Sequence, residues 1–140
     1  MLHTDQYRQG RIEMVVIDEL VPENHLLRKI DKFIDFSFII DIVRPYYCED
    51  NGRPSIDPIR LFKMIFIGYL YGIRSERRLA EEIQSNAAYR WFLRMGLTDP
   101  VPHHSTISQN RIRRFKDTGV FQQVFDEIVW QAIEHGMVGG

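Results

Sequence analysis

The sequence predicts an all-α fold, a compact multi-helix domain, and three observations predict it. Apolar residues recur at helical spacing in the segments 26–34 and 120–132, each forming one face. Helix-start and helix-stop chemistry brackets these and other segments: Asp57-Pro58, Ser75 and Asn86 as starts, Gly72 and Gly136 as stops. A length of 140 residues, 44% apolar and 12% aromatic, is enough to bury a core, which excludes a disordered or low-complexity chain.

The elements follow in order. RIEMVVIDEL (11–20) contains a β-branched apolar run, Met14–Ile17, too short to assign by period. After Pro22, Leu26, Leu27, Ile30, Phe33 and Ile34 define the first helix, with His25 as a cap or surface residue. A short helix from about Ser37 is expected to stop near Arg44, because Pro45 disfavours α geometry in the residue before it. YYCEDNGRPSIDP is the longest run of turn chemistry, broken by Asn51-Gly52 and Pro54. Asp57 then caps a helix with proline at its first position. That helix, 59–71, is apolar on nearly every side and should be central and buried.

Gly72 ends it, and Ser75 caps 76–85, where Leu79, Ala80 and Ile83 make a narrow stripe. Asn86 caps a segment 87–95 with Gly96 at its C-terminal end. Pro100 and Pro102 hold the next loop extended, and Ser105 is expected to cap a helix reaching about Phe115. The last helix starts at Thr118 or Gly119, buries Val120, Phe121, Val124, Phe125, Ile128 and Ala132 along one side, and closes at Gly136. Three regions result: a short N-terminal segment 1–20, a helical unit 21–116, and a C-terminal helix and tail 117–140.

The net charge of −1 is a cancellation. Residues 1–50 hold six Lys/Arg against ten Asp/Glu, residues 51–116 twelve against five, and residues 117–140 none against four. A basic centre between acidic flanks suggests a polyanionic partner. The lone cysteine, Cys48, allows no internal disulfide. The most apolar stretch, 61–73, contains Lys63 and is too short for a membrane span, and residues 1–20 lack a signal-peptide core. A cytoplasmic chain without a membrane partner is expected.

The richest chemistry lies in Ser105–Lys116. At about 100° per residue, Ile107, Ile112 and Phe115 fall on one side, with Thr106, Gln109, Asn110 and Arg113 opposite. Those four side chains suit base edges in a major groove. Ser105, Arg114 and Lys116 suit phosphates, as does His104 beside them. Arg111 projects to the packed side and should meet a carboxylate or a carbonyl. Taken alone, the segment reads equally as a solvated amphipathic helix. Its four cations without an acid, following two short helical segments separated by a tight turn, match a helix-turn-helix plan. Arg74, Arg77 and Arg78 offer further phosphate contacts or pair locally with Glu81 and Glu82.

An enzyme has little to rest on here. Glu81-Glu82 and Asp126-Glu127 are sequence neighbours that point apart on a helix, and Cys48 has no nearby histidine. His103-His104 lacks companions at metal-ligand spacing, which favours a loop or cap role. A protein-interaction module is the remaining alternative, with the acidic flanks and the last helix packing on another domain or protomer.

Four segments carry a resemblance: VPENHLLRKID (21–31), EDNGRPSIDPIRLFKMIFIGYLYGIRSERRLAEEI (49–83), AAYRWFL (87–93) and DPVPHHSTISQNR (99–111). They resemble the N-terminal domain of bacterial insertion-sequence transposases of the DDE type. The resemblance implies an all-helical domain that helps recognise terminal inverted repeats in double-stranded DNA. It also implies catalytic Asp, Asp and Glu residues with two Mg²⁺ beyond the equivalent of Gly139-Gly140. No catalytic residue, metal ligand or cofactor is therefore assigned within 1–140. The expected partner is duplex DNA, with a homodimer or the enzyme's own catalytic domain as protein contact. A stand-alone helix-turn-helix regulator is the alternative binding module.

Overall fold

A computed structural model describes Leu2, residues 9–47 and residues 56–136, without the side chains of Ile112 and Arg113. The Asn51-Gly52 and Pro54 turn, Cys48 and the tail 137–140 lie outside the described residues. Among those described there are seven α-helices and no strand. The all-α fold is confirmed.

Residues 11–16 are exposed and without regular structure ahead of a 3-10 turn, Ile17–Leu20, which resolves the ambiguous first run. Helix α1 (Leu26–Phe33) starts where His25 Nδ1 accepts from the Leu27 amide at 3.0 Å. Helix α2 (Phe38–Val43) ends at the predicted boundary. Pro45 does not terminate winding, because it sits inside a following 3-10 turn, Arg44–Tyr46. Helix α3 (Pro58–Leu70) begins as expected: Asp57 Oδ1 accepts from the amides of Ile59 and Arg60 at 2.8 and 3.3 Å. Gly72, at φ +69°, takes the left-handed conformation that turns the chain away.

Helix α3 is the central element, with Leu61, Phe62, Met64 and Ile67 fully enclosed. Helix α4 (Glu76–Ser85) is capped by Ser75 and α5 (Ala87–Phe92) by Asn86, both as read from the sequence. Asn86 alone joins these two. Helix α5 stops at Phe92, however, and the residue at positive φ is Arg94 (φ 60°), not Gly96. Gly96 is instead held by Asp99, whose carboxylate accepts its amide at 2.7 Å.

Helix α6 (His104–Gln109) also starts differently from expectation. The cap is His103, whose Nδ1 accepts from the Ser105 amide at 3.1 Å, so Ser105 lies inside the first turn. Beyond Gln109 the winding widens to a π-helical turn, Asn110–Arg114. Phe115 then plugs into the core between Phe62 (5.3 Å between ring centroids) and Phe121 (5.9 Å). Helix α7 (Val120–Glu134) packs Val124 and Ile128 inward against α2. Gln131 locks it to the chain after α1, exchanging hydrogen bonds of 2.8 and 3.0 Å with the backbone of Asp35.

Candidate nucleic-acid interface

Of the twelve cations in the basic centre, Arg60, Lys63 and Arg90 are turned onto backbone carbonyls of the protein itself. Arg60 and Lys63 of α3 reach the C-terminal end of α5, where helix carbonyls lack partners. Arg60 donates to the Leu93 and Arg94 carbonyls at 3.1 and 3.0 Å, and Lys63 donates to the Phe92 carbonyl at 2.9 Å. Burial is the main influence on the Lys63 ammonium, pushing its pKa below the ordinary lysine value. Arg94 adds to that and Asp31, 3.6 Å away, opposes it.

Arg90 does the same service for α4. Only 1% exposed, it donates to the carbonyls of Ile83, Gln84, Gly96 and Asp99, and its Nη2 has no partner among the described residues. Arg94 is paired with Asp31 at 3.0 Å and Arg78 with Glu82 at 3.2 Å. The local pairing considered for Arg78 is thus made.

Sequence reasoning missed the carbonyl-capping role of Arg60, Lys63 and Arg90. The residues they cap stand 29 positions away for Lys63 and 33 for Arg60, which no helical period connects.

Arg111, Arg114 and Lys116 follow α6, and Arg74 and Arg77 flank the first residue of α4. Glu76, the first residue of α4, accepts from Arg111 Nη1 at 2.8 Å and from the Ser108 hydroxyl. Arg111 thus meets a carboxylate, as expected from the sequence, although its side chain stays 47% exposed and does not enter the packed side. Partial burial works to raise the Glu76 pKa. The Ser108 and Arg111 hydrogen bonds outweigh it, with Arg111 and His104 adding electrostatically, so the carboxyl sits below its ordinary value. This latch fixes α4 against α6 and brings Arg74 and Arg77, each within two residues of Glu76, beside the basic segment.

Arg74, Arg77 and Lys116 are exposed, and among the described residues none has an ion-pair partner. Arg114 lies with its guanidinium 4.0 Å above the Tyr47 ring, and the buried phenol of Tyr47 is pushed above its ordinary pKa.

Along α6, Gln109 is exposed and Thr106 half-buried. Asn110 donates its amide to the Thr106 carbonyl at 2.9 Å, which braces the start of the π turn. His104 is half-buried, its ring 4.2 Å from that of His103, and the Ser105 hydroxyl lies 2.7 Å from His103 Nδ1. The Arg113 side chain lies outside the described residues. The π turn also alters the projection: i→i+5 winding replaces the 100° step from Asn110 onward. Eleven residues, Leu93–His103, separate α5 from α6, so the tight turn lies between α4 and α5, one helix earlier than the basic segment.

A family model described as "Transposase domain (DUF772)" matches residues 15–113. The chain belongs to this family. No curated protein and no solved structure gives a significant match. The matched stretch of the transposase domain runs from the first 3-10 turn through α6 into the π turn, and it includes the Glu76 latch. Among the described residues, no three His, Cys, Asp or Glu side chains converge as a metal would need. No helix among the described residues is long and apolar enough to cross a membrane.

Proposed function

We propose that this transposase domain binds double-stranded DNA at the terminal inverted repeats of a mobile element, as the N-terminal part of a bacterial DDE-type enzyme. The observation that carries the reading is the Glu76 latch. It sets the exposed Arg74 and Arg77, without ion-pair partners among the described residues, beside α6, whose outer side presents Gln109 and beyond which Arg114 and Lys116 follow. Four cations on two elements supply a phosphate-binding surface, and the polar side chains between them read bases.

Thr106, Gln109, Asn110 and Arg113 are the base-reading set. Asn110 keeps its carbonyl oxygen and one N–H for a base after bracing Thr106. Ser105, His104, Arg74, Arg77, Arg78, Arg114 and Lys116 are the phosphate set, with Arg78 the weakest member because Glu82 competes for it. Strand cleavage and its Mg²⁺ are assigned to catalytic carboxylates outside residues 1–140.

Fluorescence anisotropy tests the reading, with a labelled duplex of the element end against a scrambled duplex, across a salt series. The expected result is tighter binding to the element end, with affinity falling steeply as salt rises. Arg113→Ala should cost about 1–3 kcal/mol and relax preference at one position, and Lys116→Ala should weaken all duplexes alike. Equal binding to both duplexes with no effect of Arg113→Ala would overturn it.

A further inference from the structure

Helix α7 buries one side and leaves the other bare. Val129, Trp130 and Ile133 are 52%, 54% and 58% exposed. The stripe continues onto α3 through half-buried Phe125, whose ring lies 5.6 Å from that of Tyr69, itself 81% exposed. Residues 125, 129 and 133 follow at i, i+4 and i+8, so these side chains form one continuous apolar band. A band of this kind on a water-facing helix marks a docking surface.

Charge decides what can cover it. Residues 117–140 contain four acids and no Lys or Arg, and Asp126 and Glu134, both exposed, stand beside the band. DNA and anionic lipid are repelled by such a rim. A second copy would lay the same acids against its own, which is unfavourable for like charges at an interface. We infer that the α7 band docks an amphipathic protein helix with apolar anchors flanked by Lys or Arg. Val129, Trp130 and Ile133 would meet the anchors, and Asp126 and Glu134 the cations. The inference is independent of DNA binding, which uses α4 and α6.

The test uses the whole chain carrying fluorotryptophan at its two tryptophans, with Trp130→Phe assigning the two fluorine resonances. The probes are a Leu/Lys amphipathic helical peptide and its Leu/Glu counterpart of identical apolar pattern. The Lys peptide should move the Trp130 resonance and leave that of Trp91 in place. The Glu peptide should bind at least roughly tenfold more weakly. Ile133→Asp, an exposed site that does not threaten folding, should abolish the response.

Equal binding of both peptides, a response confined to Trp91, or a response that survives Ile133→Asp would overturn the inference. So would a dimer in light scattering that Ile133→Asp dissolves, since the band would then be covered by a second copy. Loss of duplex binding in the anisotropy experiment would leave these outcomes untouched, so the two readings fail separately.

Discussion

Replacing Arg90 by Met sets two large effects against each other. Burying a guanidinium without a carboxylate costs several kcal/mol of desolvation, and Met removes that cost while filling much of the same volume. Removing a whole buried ion pair is often neutral for this reason. Here the four acceptors are backbone carbonyls, which stay behind when the side chain goes.

The Ile83 carbonyl belongs to a buried residue, and losing its charged donor costs about 2–3 kcal/mol. Those of Gln84, Gly96 and Asp99 belong to exposed residues that water can reach, so together they add about 1–2 kcal/mol. These hydrogen-bond values are already net of the donor's desolvation, so the expected loss is at least the lower end of their sum, about 3 kcal/mol. With a urea m-value of about 2 kcal/mol/M, the midpoint should fall by roughly 1.5 M at unchanged m. Circular dichroism in urea reads this directly. Arg90→Lys should recover about half, since an ammonium reaches fewer of the four carbonyls. A Met variant as stable as the parent would refute the argument, showing that desolvation outweighs the caps.

Three further outcomes are expected. Because the Glu76 pKa is depressed on folding, its contribution is complete above the ordinary carboxylate value of about 4.3 and lost as pH falls through the lower folded value. Glu76→Gln should therefore cost about 1–2 kcal/mol at neutral pH, and its urea midpoint should converge on the parent's in acid. Gly72→Ala meets no atom within 4 Å, so its cost should be the left-handed backbone alone, about 1–2 kcal/mol in thermal unfolding. Arg77→Ala should lower the slope of log affinity against log salt by about 1, if this side chain neutralises one phosphate.

Much of the frame was legible because it is local. Asp57, Ser75, Asn86 and His25 cap helices that begin one residue later, and a cap is decided within one turn of chain. Arg111 meets a carboxylate as read because it stands only two residues beyond the regular α-helix that carries buried Ile107, at the very start of the π turn. The misreadings share the opposite cause. His103 displaced Ser105 as cap because an imidazole nitrogen serves where a hydroxyl was expected. Arg94 took the left-handed position ahead of Gly96, and its side chain pairs with Asp31, a contact 63 residues distant. The twelve cations of residues 51–116 overstated the exposed positive charge, since Arg60, Lys63 and Arg90 are spent on carbonyls that only tertiary packing brings near.

Those carbonyl caps also limit how the protein can be cut. Helix α5 is finished by side chains from α3, and α4 by a side chain from α5 that also grips the loop leading to α6. A minimal fragment spanning α4 to α6 would keep Arg77, Arg78, His104, Ser105, Thr106 and Gln109 but lose Arg74, Asn110, Arg113, Arg114 and Lys116. It would also lose the donors that close α5 and the aromatic socket for Phe115. Such a fragment should expose helix ends as well as apolar surface. The smallest unit worth transplanting to another scaffold therefore begins no later than Asp57.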